Sequence, residues 1–188
     1  MIHKTAYFSI ITDFLDRSGV LWSVAGGYPR DLAHGLTPRD CDIVLFGFGS
    51  SPAIYQFEQR LADFVHSLGI YSAETCGEEY ENPRIEGVIK TTENIDLISW
   101  GPKHQTVRDV VDNFDYNINQ YIMVRGLSGE YLIRFQGLDF GVLHQLRNSD
   151  VTPERKSKMI DHALRMDWKV PPELLRSDIE ELDFDFIG

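Results

Sequence analysis

Between Leu21 and Phe46 the chain reads LWSVAGGYPRDLAHGLTPRDCDIVLF, and this stretch leaves few folds open. Leu21–Ala25 is short and apolar and runs into Gly26-Gly27, the pattern of a buried strand ending in a tight turn. Pro29 suits the first turn of a following helix and Gly35 its far end. The glycines let backbone approach an anion closely, and the helix start adds N–H groups and a favourable dipole. Asp40-Cys41-Asp42 then enters Ile43–Phe46, a second strand. A period of two points both aspartates to one face and Cys41 to the other. Carboxylates placed side by side repel unless a cation lies between them. Magnesium, which takes oxygen ligands and is usually shared with substrate phosphates, is the cation this pattern calls for.

These residues resemble the nucleotidyltransferases of the DNA polymerase beta superfamily, most of all the head of the bacterial-type tRNA CCA-adding enzymes and poly(A) polymerases. That family carries Gly-Gly-x-x-Arg-Asp followed by Asp-x-Asp, matched by Gly26, Gly27, Arg30, Asp31, Asp40 and Asp42. Its third carboxylate lies on a later neighbouring strand, and Asn94–Ser99 offers Asp96 between Ile95 and Leu97. A further family block, Arg-Arg-Asp-Phe-Thr-Ile-Asn-Ala, is matched at Asp115, Ile118 and Asn119. The turn signal Gly126–Gly129 and the pair Gly137-Leu138 continue the similarity. Thr152-Pro153-Glu154-Arg155 with Lys158 resembles the family's Glu-Asp-Pro-x-Arg-x-x-Arg helix, and Trp168–Pro172 its exit. The resemblance runs from Leu21 to Pro172.

Three departures matter. Phe114 stands where the family has an arginine that contacts nucleotide. Thr152 replaces the acidic residue that, with an arginine, reads the incoming base in the CCA-adding enzymes. Lys158 replaces a second arginine and offers no planar fork. The chain also stops soon after the neck-like helix, so the body and tail that hold tRNA in the family are expected to be absent. The resemblance thus keeps the catalytic machinery and drops the template machinery.

Composition narrows the setting. With 188 residues, 43% hydrophobic and 12% aromatic, the chain is long enough for one sizeable core and is not disordered. No apolar run reaches the length needed to span a bilayer, and the N-terminal stretch, interrupted by Asp13 and Asp16, reads as an amphipathic helix and not a signal peptide. Two cysteines, Cys41 and Cys76, give no disulfide framework, so a cytoplasmic setting is expected. The formal charge of −11 works against gripping long nucleic acid. Leu143–Lys169 nevertheless carries a balance of +2 and Val170–Gly188 one of −5, so part of the acidity belongs to the tail. None of the six histidines sits in a metal-binding spacing.

Periodicity and breakers predict helices over about 4–18, 28–34, 53–68, 105–113, 138–147 and 153–167. Strands are expected at about 21–25, 40–47, 70–72, 85–90, 95–99, 116–124 and 130–135, with a loop over 75–83. The tail Leu182–Phe186 alternates strictly and reads as an edge strand or a docking segment.

The expected fold class is α/β (α+β): a mixed-sheet nucleotidyltransferase head over residues 1–136, with a helical neck-like extension and acidic tail over 137–188. The resemblance implies that Asp40, Asp42 and Asp96 hold two magnesium ions. Gly26, Gly27 and Arg30 cradle a triphosphate, Asp31 braces their turn, and Asp115, Asn119, Arg155 and Lys158 complete the nucleotide site. The implied reaction moves a nucleoside monophosphate from an NTP, such as ATP, to an acceptor hydroxyl and releases pyrophosphate. The acceptor stays open between an RNA 3′ end, a protein hydroxyl and a small molecule, and a separate protein partner supplying acceptor recognition is compatible with this reading and with its rival. The rival reading is a catalytically inactive nucleotide- or partner-binding module on the same fold. Phe114 and the missing body favour it; the paired carboxylates, costly to keep close without a metal, oppose it.

Overall fold

The computed structural model describes residues 6–72, 83–126, 129–147 and 151–175. Six strands form one mixed sheet: β1 (Leu21–Ala25), β2 (Cys41–Phe46), β3 (Ile85–Lys90), β4 (Ile95–Trp100), β5 (Tyr121–Arg125) and β6 (Tyr131–Phe135), in the order β3-β4-β2-β1-β5-β6. β2 and β4 run parallel and the other neighbours antiparallel. This is the α+β mixed-sheet class that the sequence predicts.

Alternation along the strands builds two cores on opposite faces. Cys41, Ile43 and Leu45 of β2 join Ile95 and Leu97 of β4 beneath helices α1 (Ala6–Ser18) and α3 (Ser51–Ser67). Val44 and Phe46 join Ile98 and Trp100 on the other face, against Val110 and Val111 of α4 (Val107–Val111). α3 begins where Ser50 accepts the Ala53 amide at 3.4 Å, and it buries Ile54, Phe57, Leu61 and Val65 at helical spacing. Each such side chain contributes about 1.5–3 kcal/mol on leaving water. Gly69, at φ +72°, ends the chain's helical run beyond Leu68.

The C-terminal part packs directly onto this sheet. Met159 and Ala163 of α5 (Pro153–Arg165), with Met166 and Trp168 beyond it, form a third core with Tyr116, Ile118, Tyr121 and Leu143. Trp168 is 3% exposed and seals the helix exit. A short α6 (Pro172–Leu175), begun by a proline, follows.

Four expectations are corrected. Residues 138–147 do not form a helix: Asp139 and Gly141 take φ of +51° and +85°, and the segment instead makes bridges from Val142 to Lys169 and from Gln145 to Tyr116. Within 116–124, Asn117–Asn119 form a 3-10 turn and the strand starts only at Tyr121. Residues 70–72 contribute a single bridge, Tyr71 to Thr91. α4 is shorter than 105–113 because Thr106 and Asp109 form a reciprocal capping box that sets its start. The tail Leu182–Phe186 and nearly all of the loop at 75–83 lie outside the described residues. Among the described residues no helix is long and apolar enough to cross a membrane.

Candidate active site

Strand register assembles the carboxylates. Asp42 of β2 stands opposite Asp96 of β4, Ala25 of β1 stands on the far side of Asp42, and Lys90 of β3 stands opposite Asp96. Directly opposed residues share a face, so one row crosses four strands on the α4 side of the sheet. Burial, then the charges of Asp40 and Asp96, push the Asp42 carboxyl up to about 7, against a smaller downward pull from Arg155 and Lys158. Cys41 points into the opposite core and is 5% exposed. Burial raises its thiol, and the charges of Asp42, Asp40 and Asp96 raise it further.

The glycine turn borders the row. Gly26 has φ +82° and ψ −132°, a conformation that side-chain-bearing residues rarely adopt, and its amide donates to the Tyr121 carbonyl at 2.9 Å. It leads into α2 (Gly27–Ala33). A methyl group built on Gly26 would stand 3.7 Å from Asp42 Oδ2 and 4.0 Å from Phe114 Cε2. The bare backbone, the carboxylate and the aromatic ring therefore enclose one crevice.

Cations face the carboxylates. Arg39 Nη2 lies 3.3 Å from Asp40 Oδ2. Lys158 is pushed down by burial first, then by Arg155 and Arg39, with Asp40 opposing and Arg30 adding to the depression. Lys158 therefore stands among like charges, with Asp40 as its opposing partner.

The remaining residues predicted for the nucleotide are brought together, but onto one another. Arg30, 4% exposed, donates from Nε to Asp31 Oδ1 at 2.8 Å and from Nη1 to Asn119 Oδ1 at 2.7 Å. Asn119 Nδ2 donates to Asp115 Oδ1 at 3.2 Å, and Arg155 Nε donates to Asp115 Oδ2 at 2.5 Å. This chain of bonds runs from α2 through the 3-10 turn to α5. Arg30 Nη2 also lies 3.5 Å from a methyl group built on Gly27, so its guanidinium packs against the glycine turn. Thr152 caps α5, its Oγ accepting the Arg155 amide at 3.2 Å.

Sequence reasoning did not single out Lys90 or Arg39, and it read Phe114 only as a lost arginine. Lys90 is visible only through the β3–β4 register, whereas Arg39, next to Asp40, was available from adjacency. A cavity of about 370 Å³ lies elsewhere, at the start of β1, bounded by Leu21, Phe46, Val107, Met123 and Arg125. It holds none of these carboxylates and is not part of the site.

The donor chemistry fits magnesium: Asp42 and Asp96 offer hard oxygens side by side, at a position where their mutual repulsion calls for a cation. Among the described residues no three histidine, cysteine, aspartate or glutamate side chains are gathered closely enough to hold a metal as they stand. Asp40, whose side chain is 52% exposed and held by Arg39, has to turn from that arginine to join them.

No family model matches the chain, and no curated protein matches it. Solved structures do match. A CCA-adding enzyme in complex with ATP aligns over 93% of this chain and 41% of its own, with a TM-score of 0.58 at 20% identity. A tRNA nucleotidyltransferase complexed with a primer tRNA and an incoming ATP analog aligns over 88% of this chain and 48% of its own, with a TM-score of 0.54 at 16% identity. The Thermotoga maritima CCA-adding enzyme complexed with tRNA aligns over 90% and 40%, with a TM-score of 0.53 at 18% identity. The chain thus spans less than half the length of each of these structures. The likeness is one of fold: the chain has the nucleotidyltransferase fold found in the head domain of the CCA-adding enzymes.

Proposed function

We propose that the protein is a magnesium-dependent nucleotidyltransferase that moves a nucleoside monophosphate from an NTP to an acceptor hydroxyl. The observation that carries this reading is the Asp42–Asp96 pair set beside the Gly26 turn, with Arg155 and Lys158 near enough to pull the Asp42 carboxyl down. Carboxylates alone suit a cation and cations alone suit an anion. Both together suit a metal-bound triphosphate. The likeness to structures holding ATP, CTP and an incoming ATP analog supports an NTP as the substrate.

Asp40, Asp42 and Asp96 would hold the two magnesium ions, which supply charge neutralisation at the phosphoryl oxygens when bound. The chain's own groups do the rest. The bare Gly26-Gly27 backbone admits phosphate oxygens close to the start of α2, where N–H groups point outward. Lys158 and Arg39 set a positive wall opposite the carboxylates. The acceptor oxygen bonds to the α-phosphorus as the bond to the bridging oxygen breaks, and pyrophosphate leaves. Asp96 is assigned to take the acceptor's proton. Asp31, Arg30, Asn119 and Asp115 hold the glycine turn and α5 in mutual register. The acceptor is an RNA 3′ end, a protein hydroxyl or a small molecule, with a protein partner as one source of its recognition, and the setting is cytoplasmic.

One observation favours the rival reading of a binding module without turnover. Arg30, Asn119, Asp115 and Arg155 are bonded among themselves, so fewer groups are open to a nucleotide. Pyrophosphate release with each NTP, with magnesium and with chelator, separates the two. Magnesium-dependent release that disappears in Asp42→Asn supports the enzyme. Nucleotide binding without release supports the module.

A further inference from the structure

We propose that Phe114 is the surface on which the nucleoside of the bound triphosphate rests, a positioning contact indifferent to base identity; this rests on reading the site as a nucleotidyltransferase. Its ring borders the crevice that the glycine turn and Asp42 define, with Cε2 4.0 Å from a methyl group built on Gly26. An apolar ring is held there firmly. The Phe114 amide donates to the Val111 carbonyl at 3.2 Å at the end of α4. The Trp100 ring lies behind it at 6.1 Å between centroids, and Phe114 packs onto the core containing Val110 and Val111. Its neighbours are tied as well: Asn113 Nδ2 donates to the Asp109 carbonyl at 2.7 Å, and Asp115 is bound to Arg155.

Yet the ring is only partly buried, and its Cε2 edge borders the glycine turn beside the Asp42 carboxylate. Beside a charged pair, a partly exposed phenyl gains nothing from water. It gains from a flat partner with a π-face, and the nucleobase is the flat part of an NTP. No acidic side chain stands beside Arg155 at Thr152 to present a paired donor and acceptor to a base edge. Thr152 Oγ caps α5, and Arg155 Nε is spent on Asp115. Aromatic stacking supplies affinity without discrimination, because every base has a π-face.

The test uses the full chain with magnesium and compares wild type with Phe114→Leu, Phe114→Ala and Phe114→Tyr. Equilibrium binding is measured for the four NTPs and for inorganic tripolyphosphate, which has no nucleoside, alongside KM and kcat for pyrophosphate release. The expected result is a KM and Kd about tenfold higher for all four NTPs in the Leu and Ala variants, the scale of one lost base–aromatic stack, with kcat changed less than about twofold. Phe114→Tyr restores wild-type affinity, and tripolyphosphate binds all four proteins equally. Leucine keeps the apolar bulk that packs on Trp100, so a folding defect is not confused with a lost contact. The proposal is overturned if Phe114→Leu binds NTPs as wild type does, or if tripolyphosphate affinity falls in step with that for NTPs. A wild-type chain that binds tripolyphosphate but no NTP, or neither, overturns the nucleotidyltransferase reading itself.

Discussion

Asp115 and Arg155, forty residues apart, meet at 2.5 Å between Oδ2 and Nε, and this bond fastens α5 to the loop after α4. Burial alone would raise the Asp115 carboxyl. The Arg155 bond and charge, the Asn119 amide and the Tyr116 N–H override it and hold the group below its ordinary value. A depressed carboxylate stabilises the fold above its unfolded pKa, and that stability is lost as pH falls through the lower folded pKa. Asp115→Asn is therefore expected to lower stability by about 1–2 kcal/mol at pH 7, a figure moderated by the 40% exposure of Arg155, and to flatten the acid limb below about pH 4. Denaturant melts from pH 3 to 7 measure both. Equal slopes in wild type and variant would show that the pair does not govern acid stability.

His162 responds in a different window. Its imidazole is pushed down to about 4 by burial first and by Arg30, with Asp31 opposing and Lys158 and Arg165 adding to the depression. Nδ1 is buried without a hydrogen-bond partner. Between the ordinary value of 6.5 and about 4, the unfolded chain takes a proton that the folded chain refuses, so stability falls as pH falls through that range. His162→Gln is expected to lose less stability than wild type between pH 7.5 and 5. Parallel losses in the two proteins would refute the assignment.

The carboxylate row makes a prediction that needs no turnover. Asp42 feels the charges of Asp40 and Asp96, so Asp42→Asn relieves repulsion and removes a proposed metal ligand. In chelator the variant is expected to melt at or above the wild-type temperature. With magnesium, the wild type should rise and the variant stay where it was. Pyrophosphate release should disappear in the variant. A magnesium response equal to that of wild type would place the metal elsewhere.

Base choice follows from two engaged side chains. Thr152 spends its hydroxyl on the Arg155 amide, and Arg155 spends Nε on Asp115. The kcat/KM values for the four NTPs are expected to agree within about tenfold, or ~1.4 kcal/mol. Thr152→Ala should cost about 1 kcal/mol of stability by removing the cap, whereas Thr152→Asp retains a capping oxygen. A wild-type preference of a thousandfold for one base would contradict the arrangement.

What the sequence made legible was what short-range pattern encodes. β1, the glycine turn, β2 and β4 were readable because apolar alternation and a Gly-Gly break leave little else for those residues to do. The segment 138–147 was misread because Leu138, Val142, Leu143 and Leu146 mimic helical spacing. The left-handed backbone at Asp139 and Gly141 forbids the helix, and pattern alone does not show it. Partnerships across distance were hidden in the same way. Arg30 was legible as a residue one turn into α2, but its burial against Asn119, 89 residues on, follows from tertiary packing. Lys90 enters the carboxylate row only through the register of an edge strand.

The last prediction concerns Gly26. A methyl group has room there, since the nearest atoms would be 3.7 Å and 4.0 Å away at Asp42 and Phe114, so steric crowding is not the obstacle. The backbone is the obstacle. At φ +82° and ψ −132° an alanine is strained whatever space surrounds it, by about 1–3 kcal/mol. The chain relaxes by rotating the turn, which breaks the 2.9 Å bond from the Gly26 amide to the Tyr121 carbonyl and re-aims the start of α2. Gly26→Ala is expected to lower the melting temperature and to weaken tripolyphosphate binding together. Gly35→Ala, also at positive φ with nothing within 4 Å, should lower the melting temperature while leaving that binding intact. If the two variants lost tripolyphosphate equally, the turn would be contributing stability alone and not the shape of an anion site.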